Sequence, residues 1–95
     1  GDAFWPTAAQ LIIQHCLDAL RLTNAPVTIP RVAGLIRSNE ASAAVIASLS
    51  ASAHTEAKIL AEDLIHDFQK PEETLGSIIA HVDNFLATCE EPLRN

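Results

Sequence analysis

Aromatic residues are scarce in this chain of 95 residues, with one tryptophan, three phenylalanines and no tyrosine, and glycine occurs only three times. A sheet-rich fold draws on aromatic and β-branched residues, whereas a hydrophobic fraction of 48% resting on Ala, Leu and Ile suits close-packed helices. The three glycines, Gly1, Gly34 and Gly76, fall in no Walker or dinucleotide pattern, so the chain offers no loop to cradle a phosphate and is not expected to bind ATP alone. No apolar run approaches the roughly 20 residues of a membrane-spanning helix, and no export signal is evident. The piece is therefore expected to be soluble, without membrane contact of its own.

Positive charge is also sparse. Six basic against twelve acidic side chains give a formal charge of −6, opposite to the footprint of a domain that grips phosphate backbones. Nucleic acid is disfavoured as the principal ligand. A DNA-contacting alternative requires Arg21, Arg31, Arg37, Lys58 and Arg94 to gather on one face. The two cysteines, Cys16 and Cys89, sit inside apolar helical patterns rather than a short-spaced framework, and read as buried thiols in a reducing cytosol.

Five amphipathic segments remain, enough for one small all-α domain over residues 1–95, a compact bundle of about five helices. From about Pro6 to Leu22, a stripe of Ala8, Leu11, Ile12, Cys16, Ala19 and Leu20, broadened by Ile13 and Leu17, predicts a central helix. Phe4 and Trp5 precede it and are expected to fold back over the core. Thr23-Asn24-Ala25-Pro26 breaks the pattern. Thr28 then reads as the N-cap of a short helix ending near Arg37, with Pro30 in its first turn and Val27 and Val32 at the positions of a hydrophobic staple.

Ser38-Asn39 offers the next cap. Glu40 to about Ala53 is a run of small residues with Val45, Ile46 and Leu49 as its only larger apolar groups, suited to close packing inside the chain or between protomers. Thr55 could cap a fourth helix through Phe68, with Ile59, Leu60, Leu64 and Phe68 inward and Lys58, Glu62, Asp63 and Asp67 outward. Alternatively, the third and fourth segments form one long helix. Pro71-Glu72-Glu73-Thr74 opens the last helix with an acidic first turn, and Leu75, Ile78, Ile79, Val82, Phe85, Leu86 and Cys89 share a broad face that stops before Pro92. Gly76 inside this helix suggests a close crossing.

Few patterns carry chemistry. His15-Cys16 has the residue types of a base and nucleophile, but neighbours point about 100° apart on a helix, and no orienting carboxylate is obvious. Glu62, Asp63 and His66 lie along one helix, where a solvated face with a local acid–histidine contact outweighs a metal site lacking further ligands. His81 and Asp83 do not share a face, and His54 reads as polar loop. No catalytic, cofactor or metal residue is assigned.

Two separated blocks are similar to one family. Phe4-Trp5, then Ala8, Ala9, Leu11, Ile12 and Leu17 to Leu20, then Thr28-Ile29 with Val32 and Leu35-Ile36, resemble the opening of the all-alpha domain of TraG/TraD-type coupling ATPases of bacterial type IV secretion and conjugation. There an F-W dipeptide precedes an apolar helix and a short "T-L-x-x-V-x-x-L-L"-like helix. Glu73-Thr74-Leu75-Gly76-Ser77-Ile78-Ile79-Ala80, Phe85-Leu86 and Pro92-Leu93-Arg94 resemble the segment closing that domain. The stretch from Asn39 to Gln69 matches nothing in the pattern.

The resemblance implies an insert excised from a larger ATPase that supplies the nucleotide motifs. It implies a helical cap at the cytoplasmic face of the bacterial inner membrane, among other subunits of the secretion machinery, receiving secreted effectors or relaxase–DNA complexes. An acidic domain would meet basic or mixed-charge secretion signals with a complementary field. The acidic exterior around Glu56, Glu62, Asp63, Asp67, Glu72 and Glu73 is the expected protein-binding surface. A helical oligomerisation module using Ala41 to Ala53 is the structural alternative.

Overall fold

The computed structural model describes the backbone of residues 4–94 and the side chains of residues 7–88. Its five helices are α1 (Phe4–Leu22), α2 (Ile29–Arg37), α3 (Asn39–Ser50), α4 (Thr55–Phe68) and α5 (Glu72–Arg94), and no strand occurs among the described residues. The protein is an all-α bundle. Its radius of gyration, 13.3 Å, matches the roughly 13 Å of a compact chain of about 100 residues.

Local chemistry sets the helix ends. α1 closes in a Schellman motif: Asn24 takes the left-handed conformation at φ 59°, its N–H donates to the Arg21 carbonyl, and the Ala25 N–H donates to Leu20. Asparagine tolerates that conformation better than most side chains, and Pro26 follows where the helix cannot resume. Thr28 caps α2 as expected, its Oγ1 accepting from the Arg31 N–H at 3.3 Å with proline in the first turn. Ser38 does the same for α3, accepting from the Ala41 N–H at 3.2 Å.

The start of α4 differs from expectation. Thr55 is its first helical residue rather than its cap, and His54 occupies the cap position without a side-chain hydrogen bond. Residues 51–54 separate α3 from α4, so the two are not one long helix. α5 also runs past its expected stop before Pro92, to Arg94. A proline there forfeits one bond, to the carbonyl of Thr88, which a helix near its end can lose.

α1 is the central element and packs against each of the other four helices. Its core stripe is Ala9, Ile12, Ile13, Cys16, Ala19 and Leu20. Val32, Leu35 and Ile36 of α2, Leu49 of α3, Ala57, Leu60, Ala61 and Leu64 of α4, and Ile78, Val82 and Leu86 of α5 close over it.

Four apolar residues expected inside are not. Leu11 is 51% exposed, Ile59 53%, Phe85 46%, and Val27 at the staple position 46%. At about 100° per residue, Leu11 sits about 140° from the middle of the α1 core stripe, on the outer face shared by His15, Asp18 and Leu22. Gly76 does not mark a close crossing, because a Cβ there would meet nothing within 4 Å. The side chains of Phe4 and Trp5, expected to cover the core, and those of Cys89, Pro92, Leu93 and Arg94 lie outside the described residues.

Candidate functional site

The stripe of α4 carries one residue of the wrong polarity. Ala57, Leu60, Ala61 and Leu64 recur at helical spacing, and the next position is Asp67, only 2% exposed. Asp67 was expected on the outer acidic surface and is instead a core residue. Its partner comes from α1: His15 Nδ1 and Asp67 Oδ2 share a hydrogen bond of 2.6 Å, across 52 residues of sequence. The buried carboxyl thus finds the hydrogen bond without which its burial would cost several kcal/mol.

The same imidazole has a second neighbour. His15 Nε2 stands 3.9 Å from Asp63 Oδ2, and the side chains are 15% and 49% exposed respectively. Asp63 lies one helical turn before Asp67 on α4, so one ring touches a buried carboxyl through Nδ1 and faces a half-exposed one through Nε2. The orienting carboxylate missing from the sequence pattern around His15 is therefore present, supplied by a distant helix.

Cys16 takes no part in this arrangement. It is wholly buried, and burial, aided by the nearby charge of Asp67, pushes its thiol from the ordinary 9.0 up to about 12. A protonated thiol is a poor nucleophile. A stability consequence follows, because the unfolded thiol ionises near 9.0 and the folded one near 12. Between those values the unfolded state binds fewer protons, so the contribution is complete below pH 9 and falls by about 1.4 kcal/mol per pH unit toward pH 12. Urea midpoints measured from pH 8 upward should decline more steeply for the natural chain than for Cys16→Ala, and parallel curves would refute the assignment.

His15 and Asp63 open onto a cleft of about 400 Å³ between α1 and α4. Leu22, Ile59 and Leu60 give it an apolar lining, while Asp18, Glu56 and Asp63 supply acid from both helices. Gln14 and Arg21 both reach Asp18 Oδ1 at 3.2 Å, within α1. Among the described residues Glu56 makes no ion pair. The lining contains no hydroxyl or thiol, and among the described residues no group of three metal-ligating side chains converges.

The expected acidic surface therefore divides. Glu56 and Asp63 meet at the cleft, where Asp18, absent from the expected set, joins them. Glu62 is exposed on α4 outside the cleft lining, and Glu72 and Glu73 stand apart in the first turn of α5, Glu73 beside a shallow depression with Thr74, Gly76 and Ser77. His66 is exposed and makes no hydrogen bond or ion pair with Glu62 or Asp63.

A sequence signal for the cleft exists in the spacing Leu11, His15, Asp18, Leu22, which runs i, i+4, i+7, i+11 along one face of α1 opposite the core stripe. Of the cations considered for DNA contact, Arg21 pairs with Asp18, and Arg37 pairs with Asp83 at 2.6 Å, tying α2 to α5. No helix among the described residues is long and apolar enough to cross a membrane. No family model, curated protein or solved structure matches this chain.

Proposed function

We propose that this domain recruits protein cargo, as the resemblance to the all-alpha domain of type IV secretion coupling ATPases implies, and that it binds a segment of that cargo in the α1–α4 cleft. The observation that supports this reading is the exposure of Ile59 at 53% and Leu22 at 40% beside three carboxylates in one open cleft. Exposed aliphatic side chains gain about 25 cal/mol for each Å² of apolar surface they cover, and acidic neighbours select basic or mixed-charge segments. In this reading the parent motor supplies ATP hydrolysis, and effectors or relaxase are the cargo.

The test is an NMR titration of the domain with secretion-signal segments of effector proteins or relaxase. Amides around Leu22, Ile59 and Asp63 should shift, and affinity should fall as salt rises from about 50 to 500 mM, where the screening length shrinks from roughly 14 to 4 Å. Shifts confined to α3 would favour the oligomerisation module, and affinity that ignores salt would remove the acidic cleft from the mechanism.

A further inference from the structure

The contact between His15 and Asp63 is too long to be a hydrogen bond. At 3.9 Å, His15 Nε2 and Asp63 Oδ2 stand outside the usual range of about 2.7–3.2 Å, although Asp63 is exposed enough to move. The ring cannot easily turn to improve the contact. Its Nδ1 is held at 2.6 Å by Asp67, which is itself fixed in the apolar stripe of α4. In the neutral tautomer that donates from Nδ1 to Asp67, the ring presents its lone pair at Nε2, as an acceptor. In that tautomer two acceptors face one opening, 3.9 Å apart, a spacing that a single nitrogen can bridge. A nitrogen about 2.8 Å from each would subtend an angle of roughly 90° between them, within reach of two N–H bonds of one ammonium or guanidinium group.

We propose that His15 Nε2 and Asp63 Oδ2 together form a recognition point for one lysine or arginine side chain, carried by a basic amphipathic helical segment that lies in the α1–α4 cleft. This rests on the recruitment reading above and names the chemistry of its partner. The apolar side of the segment covers Leu22 and Ile59, and further cations meet Glu56 and Asp18. The segment's second cation competes with Arg21 for Asp18, an exposed contact of low strength. Complementary charge chooses the occupant over a second copy of this chain, since two domains of net charge −6 repel. Asp67 acts as a positioning residue, touching the ring and not the ligand.

The experiment uses a synthetic 18-residue peptide of leucine, lysine and alanine with leucines at helical spacing on one face, titrated into the ¹⁵N-labelled domain at low salt. Two further peptides replace every lysine by glutamine or scatter the leucines around the helix. The expected result is a shift of the His15 Nε2 resonance and of the Leu22 and Ile59 amides, with the exposed His66 unmoved. Asp63→Asn should weaken binding about tenfold, as loss of one charge-assisted contact does, while Glu40→Gln on α3, the same change in net charge, should alter it less than about twofold.

Both altered peptides should bind more weakly than the parent. Equal effects of the two protein variants would overturn the recognition point while leaving cleft recruitment standing, since attraction would then follow net charge alone. A cleft that ignores the basic peptide yet responds to secretion-signal segments would overturn the partner class and spare the recruitment reading. Silence toward both would overturn both.

Discussion

Replacing His15 by alanine should lower the unfolding free energy by about 3 kcal/mol, a large share of the 5–15 kcal/mol that holds a typical domain together. The cost comes from Asp67. Its side chain is 3% exposed, whereas that of His15 is 15% exposed, so the pair is unequal. Removing the histidine strands a carboxyl group among Leu60, Ala61 and Leu64 without its hydrogen bond. Removing the carboxyl instead, as Asp67→Leu, leaves an imidazole at the edge of an open cleft where water can reach it, and should cost about 1 kcal/mol or less. The double variant His15→Leu/Asp67→Leu should recover most of the loss, because two aliphatic side chains of suitable volume satisfy an apolar stripe better than a polar pair does. Urea denaturation of the natural chain, His15→Leu, Asp67→Leu and the double variant closes the cycle and gives the coupling energy, expected at about 2–3 kcal/mol. A His15→Ala variant within 0.5 kcal/mol of the natural chain, a margin at the edge of additivity, would show that Asp67 finds another partner.

That comparison bears on function as well as stability. If two leucines hold the bundle equally well, a buried carboxyl is not needed for folding, and its remaining physical effect is to fix which nitrogen of His15 faces the cleft. The double variant should then remain folded yet lose the preference for a basic segment. Stability and recognition separate in one protein.

The helix scaffold was legible because its signals are local. Thr28, Ser38 and the Thr23 to Pro26 break mark helix ends through side-chain and backbone hydrogen bonds that span four residues or fewer, or a five-residue Schellman bond. The inward face was legible only to within one residue. Ile59 and Leu60 are neighbours, both read as core, and only Leu60 is buried, because periodicity fixes a helix's apolar direction without saying where its neighbours sit. Gly76 misled for the same reason: a missing side chain signals a close approach only when something approaches.

The site itself was the least legible part. Asp67 was read as solvated because aspartate usually is, although its spacing from Leu60 and Leu64 placed it on the buried stripe. What resolves the conflict is a histidine 52 residues away, and no local pattern joins the two. The acidic residues were found as a class but not sorted. Glu56 and Asp63 face α1 across the cleft, while Glu72 and Glu73 do not, a distinction created by packing. Asp18 escaped notice because it lies inside α1, between Leu17 and Ala19, and Leu11, with which it shares a face, was taken to be core.

The second large effect concerns α3, whose composition leaves it with a single anchor. Of its residues only Leu49 is buried, at 2% exposure, and Val45 and Ile46 are partly covered. Leu49→Ala should cost about 3 kcal/mol, within the usual 2–5 kcal/mol for a buried leucine, with little collapse to offset it because the neighbouring helices are pinned to α1. The loss should also be uneven. Ile78→Ala in α5 removes a comparable side chain from a helix with other deep contacts, Val82 and Leu86, so its effect should spread through the bundle. Leu49→Ala takes the one deep contact from a helix otherwise rich in alanine and serine, and the α3 amides should exchange far faster than those of α1. Since α1 and α4 pack directly on one another, the cleft survives the opening of α3, and affinity for the basic helical peptide should change less than about twofold. Hydrogen exchange followed residue by residue decides the matter. Uniform acceleration across all five helices would show that α3 is an integral part of one cooperative unit, and a lost cleft would show that α4 depends on α3 for its seat.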